Sequence, residues 1–85
     1  MTNREIYLCK TALRVLEGAG TQGVNREAWM AQVDIMADQP LTTAEQESLI
    51  RRLVENGWVQ SYYDRIRDQV RYVLSGTGSL AMEAL

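Results

Sequence analysis

The side chains best suited to chemistry in this chain are arginines. Of nine basic residues, five fall in residues 50–85 and all five are arginine: Arg51, Arg52, Arg65, Arg67 and Arg71. A guanidinium is permanently charged and presents a planar fork of donors, which matches phosphate oxygens and the major-groove edge of guanine. A competing use lies close at hand. Glu47, Glu55, Asp64 and Asp68 are near enough in sequence to hold these arginines in ordinary surface ion pairs, and about a quarter of any soluble surface is charged. Residues 1–49 carry four basic and seven acidic side chains, whereas residues 50–85 carry five basic and four acidic. The net charge of −2 argues against indiscriminate nucleic-acid binding, but it permits a local positive stripe if the arginines share one face.

Little else points to catalysis. There is no histidine, so the commonest general base and metal ligand is missing, and a single cysteine cannot build a zinc site. Cys9 falls in an apolar stripe, the setting of an inert buried thiol. Asp34 and Asp38 are spaced to share a helix face, but nothing near them in sequence supplies further metal ligands, so a solvated face is expected. Gly76-Thr77-Gly78-Ser79-Leu80-Ala81 reads G-x-G-x-x-A. A dinucleotide turn needs a following βαβ unit and an acidic residue about 20 positions on, and the chain has no room for either. The expectation is a protein that is not an enzyme, with no metal and no small-molecule cofactor.

The elements that position the arginines are well marked. Thr2 and Glu5 have capping-box spacing, which predicts a first helix from Thr2 to Glu17, stopped by Gly18-Ala19-Gly20. Ile6, Cys9, Leu13 and Leu16 form one apolar stripe on it, and Leu8, Ala12 and Val15 a second. Gly18–Gly23 is a loop, Val24 a candidate single-residue β bridge, and Asn25 the cap of a second helix running to about Ala37 with Trp29, Val33 and Met36 inward. Pro40 closes that helix, and a second capping box, Thr42 with Glu45, opens a third. Leu49 and Leu53 face inward on it and Asn56-Gly57 ends it, with Ser48, Arg51, Arg52 and Glu55 on the other side. Residues 58–74 turn β-like, with Val70, Tyr72 and Leu74 alternating against Gln69, Arg71 and Val73, and Asp64–Asp68 as the tip. Ser75 caps a short last helix ending in Leu80, Ala81, Met82, Ala84 and Leu85.

The run from Thr42 to Gly78 resembles the back half of a winged helix-turn-helix domain. The motif is a helix ending in Leu53-Val54-Glu55-Asn56-Gly57-Trp58-Val59, a two-stranded wing, and Tyr72-Val73-Leu74-Ser75-Gly76-Thr77-Gly78. This resemblance implies a mainly α fold with a small β-hairpin: one domain over residues 1–85, with three helices, a wing and a short C-terminal helix. It also implies a small transcriptional regulator that binds double-stranded DNA, with Ser48, Arg51 and Arg52 contacting bases and phosphates and Arg65, Arg67 and Arg71 acting from the wing. The alternative is an acidic adaptor or inhibitor on the same scaffold, of the kind found in mobile elements, that binds a protein partner through Tyr62, Tyr63 or a surface acid such as Glu47. The apolar first and last helices further suggest a homodimer. No apolar run is long enough for a membrane span and the start is not a signal peptide, so a cytoplasmic protein is expected.

Overall fold

A computed structural model describes residues 1–85. The chain forms helix α1 (Asn3–Ala19), a 3-10 turn (Gly20–Gln22), strand β1 (Val24–Asn25), helices α2 (Arg26–Met36) and α3 (Thr43–Glu55), strands β2 (Val59–Asp64) and β3 (Gln69–Leu74), and helix α4 (Gly76–Ala84). The three strands make one antiparallel sheet in the order β1-β3-β2. The hairpin is therefore not free-standing: β3 is central, and β1 adds two residues to its far edge, Val24 opposite Tyr72 and Asn25 opposite Arg71.

Every helix begins where a side chain satisfies its open amides. Thr2 and Thr42 each accept from the third amide of their helix while Glu5 and Glu45 reach back to the cap amide, so both capping boxes are complete. Asn25 caps α2 by accepting from Ala28 N–H, and Ser75 caps α4 by accepting from Gly78 N–H. α3 ends in a Schellman turn: Gly57 N–H donates to Val54 C=O and Trp58 N–H to Leu53 C=O, with Gly57 at φ 74°. α1 continues two residues past Glu17, because the left-handed residue that stops it is Gly20 and not Gly18.

The core is built from Leu8, Cys9, Ala12, Leu13 and Leu16 of α1, Trp29, Met30 and Val33 of α2, Leu49, Ile50 and Leu53 of α3, with Leu41 and Val59 closing it. Most of both α1 stripes thus lies inside the single chain, leaving Ile6 and Val15 half-buried. Two expectations fail at the margins. Met36 is exposed: the chain turns back at Ala37, and Ala37 and Leu41 close that end of the core in its place. Val70 is exposed together with its cross-strand partner Tyr63, because the outer part of the hairpin runs past the helical layer.

Trp29 sits at the centre, fully buried, with Nε1 donating to the Ala12 carbonyl at 3.0 Å and its ring 5.2 Å from that of Tyr72. The last helix is seated by a glycine. A Cβ on Gly78 would stand 2.0 Å from the Trp58 carbonyl oxygen, whereas one on Gly76 would meet nothing within 4 Å. Close packing on the Trp58 carbonyl thus accounts for the glycine at 78.

These contrasts set a stability test. Gly78→Ala should cost about 1–3 kcal/mol by overpacking against backbone. Gly76→Ala, in the same turn, should be neutral or stabilise by up to about 1 kcal/mol through the unfolded chain. Urea midpoints of the two variants decide it, and equal effects would mean that α4 does not dock on the Trp58 backbone.

Candidate functional site

The outward side of α3 carries Ala44, Glu47, Ser48, Arg51 and Glu55, all exposed. The hairpin stands beside it. Arg26, at the start of α2, reaches Glu47 at 4.0 Å and also lines a shallow hollow with Gln69, Val70 and Tyr72 of β3. A continuous surface therefore runs from α3 across Arg26 to the hairpin. Glu47 thus meets Arg26 of α2 and not an arginine of its own helix.

The arginines do not form the stripe their spacing allows. Arg52 turns to the α1 side and pairs with Glu5. Arg67 folds back onto Asp64 at 2.7 Å. Arg71 stands on the face of β3 away from Trp29, donating from Nε to the Gln22 carbonyl at 3.0 Å, from Nη2 to the Gly23 carbonyl at 2.7 Å, and from Nη1 to Gln69. It clamps the 3-10 turn to the sheet, helped by Tyr62 Oη, which donates to Gln22 C=O at 2.7 Å. Arg51 and Arg65 make no ion pair and are exposed, and Ser48 sits between Arg51 and the α1 side, on the rim of a groove with Glu5, Glu45 and Arg52. The structure thus brings Ser48 and Arg51 together on α3, sets Arg65 at the hairpin tip, and commits Arg52, Arg67 and Arg71 to holding the fold.

The Arg52 pairing belongs to a reciprocal clasp. Glu5, the capping glutamate of α1, receives Arg52 of α3, while Glu45, the capping glutamate of α3, receives Arg4 of α1 at 3.1 Å. Arg52 beside it, and then Thr2, hold the Glu5 carboxyl below the ordinary glutamate range. Glu45 is lowered first by the Thr42 amide and then by Arg4. Asp64 is lowered by the Arg67 side chain and by the Arg67 and Ile66 amides. Beneath the clasp lies Cys9, whose thiol is pushed up by burial.

Two structural details had no clear sequence signal. Asp34, expected on a solvated face, accepts from Leu41 N–H at 3.0 Å and so fixes the turn between α2 and α3. Ile66 is 96% exposed at the hairpin tip. Its only advance sign was an isoleucine standing among charged residues.

No protein-family model matches the chain, and no curated protein matches it. Its fold is similar to that in the crystal structure of SSV1 F-93, with a TM-score of 0.69 over 99% of this chain and 82% of that one, at 17% sequence identity. At that identity the likeness is one of fold. No helix is long and apolar enough to cross a membrane.

The lowered carboxyls fix the sign of the acid response. A carboxylate whose folded pKa lies below its unfolded value stabilises the fold above the unfolded value, near 4.3 for glutamate, and that contribution is lost as pH falls through the folded value. Stability should therefore decline from roughly pH 4.3 downward. Arg52→Ala should lower the urea midpoint at pH 7 and shrink the drop between pH 7 and pH 3, with Arg51→Ala changing neither. An unchanged acid response in Arg52→Ala would mean that the clasp does not form in solution.

Proposed function

We propose that this chain is a winged helix-turn-helix protein that binds double-stranded DNA and acts as a small transcriptional regulator. α3 is its reading helix and the β2–β3 hairpin its wing. One observation carries the reading: α3 and the hairpin are joined across Arg26 into one surface, with an exposed, unpaired arginine at each end, Arg51 on the helix and Arg65 at the tip. A helix beside a projecting ribbon is the shape that seats in a major groove while the ribbon follows the adjacent backbone. The fold likeness to SSV1 F-93 supports the scaffold. On this reading Ser48 and Arg51 contact bases and phosphates, Arg65 contacts the backbone or minor groove, and Arg52, Arg67 and Arg71 position the elements. A homodimer would present two such surfaces to paired half-sites. With most of the α1 stripes inside the protomer, its apolar contact would centre on Leu80 of α4, which is 70% exposed, and sedimentation equilibrium reports it.

A second reading has its own observation. Arg51 lies one turn from Glu47 and one turn from Glu55 on the outward side of α3, so that face is acidic overall, which suits a basic protein partner better than a phosphate backbone.

Salt separates the two. Two phosphate contacts per protomer give a log-log slope of about −2 for DNA affinity. Arg51→Ala or Arg65→Ala should each flatten it by about one unit, and Arg51→Ala should also relax sequence preference. Arg52→Ala should leave the slope unchanged. Retention on DNA is measured from low to moderate salt; absence of retention even at low salt would overturn the DNA reading in favour of the protein partner.

A further inference from the structure

We propose that Ile66 is a wedge that enters the minor groove and partly unstacks a base step, with Arg65 beside it on the flanking phosphate. The inference rests on the DNA-binding reading above and specifies what the hairpin tip does there.

Ile66 has no structural task. It is 96% exposed, and a branched aliphatic side chain is an unusual occupant of a turn, where Gly, Asn, Asp and Ser have the conformational advantage. The turn is held without it: Asp64 Oδ1 accepts from the amides of Ile66 at 3.0 Å and Arg67 at 3.2 Å, Asp64 Oδ2 takes the Arg67 guanidinium, and Asp68 makes the left-handed step at φ 52°. A fixed turn holds the Ile66 backbone at the tip, so only the side-chain rotamer remains to be ordered. Little ordering entropy is then lost on insertion.

The charges around the tip are arranged to suit a phosphate-lined groove. Both acids are occupied from the hairpin's own side, Asp64 by Arg67 and Asp68 by the Tyr63 hydroxyl. What stands free is Arg65 and Ile66. The minor groove is about 6 Å wide, too narrow for a helix or for the ribbon itself, so what would enter it is a single side chain projecting from the tip. Apolar wedges of this type open steps and kink the duplex by about 20–90°, most easily at pyrimidine–purine steps. A lipid surface is the poorer match: one isoleucine buries too little apolar area to anchor the chain.

The test uses the full chain and a duplex of repeated TpA steps carrying 2-aminopurine at one adenine, with Ile66→Ala as the variant. Exposure at 66 predicts an unchanged thermal midpoint for it. Wild type should raise 2-aminopurine emission and bend the duplex, whereas Ile66→Ala should bind with the same salt slope and leave emission at the level of free DNA. If Ile66→Ala gives the same emission rise as wild type, or if wild type binds without any rise, the wedge is wrong and DNA binding stands. If wild type does not bind the duplex even at low salt, both fall. Co-sedimentation with phosphatidylserine vesicles that is lost in Ile66→Ala, without any effect on duplex emission, would assign the tip to lipid and overturn the proposal.

Discussion

The indole of Trp29 is the constraint on which the other parts depend. A fully buried Trp must find an acceptor for its N–H or forfeit the cost of desolvating it, and here the acceptor is a carbonyl of α1, Ala12. The same ring lies against Tyr72 on the central strand. One side chain thereby fixes α2 to α1 and the sheet to both. The opposite side of β3 is fixed separately, by Arg71 on the Gln22 and Gly23 carbonyls. Gly23 has to be glycine for this approach: at φ 68° a Cβ there would stand 2.3 Å from the Tyr72 carbonyl oxygen. With β3 held on both faces, the hairpin is anchored at its base while its outer end projects.

The use of charge follows from the same economy. An 85-residue chain has few side chains to spare, and the reciprocal clasp makes each capping glutamate serve its own helix and the arginine of another. Such pairs are about one third exposed, so their value lies in orienting α3 against α1 more than in raw stability. What this withdraws from the surface is substantial: three of the five late arginines are engaged internally, leaving Arg51 and Arg65 facing outward.

Local signals were legible in the sequence and relational ones were not. Thr2 with Glu5, Thr42 with Glu45, Asn25, Ser75 and Gly57 announce helix ends because their partners lie within a few residues, and all of them act as their types suggest. Periodicity likewise located Trp29, Val33, Leu49 and Leu53 in the core. Met36 and Val70 follow the right period but stand where an element outruns its neighbours, which no window of sequence reveals. Arg52 illustrates the same gap for the site. Glu5 is 47 positions away, so its ion pair was invisible beside the nearer Glu55 and Glu47 that spacing favoured.

Cys9 gives the clasp a practical corollary. The only thiol in the chain is 1% exposed at the floor of the groove beneath Arg52 and Glu5, and burial pushes its pKa up, so its reaction with reagents is favoured when α1 and α3 part. Its alkylation rate in the native protein is then a clock for that opening. The unmodified chain thus carries its own probe of breathing between the two helices, and comparing the rate with and without nucleic acid would register whether occupancy of one face of α3 is felt on the other.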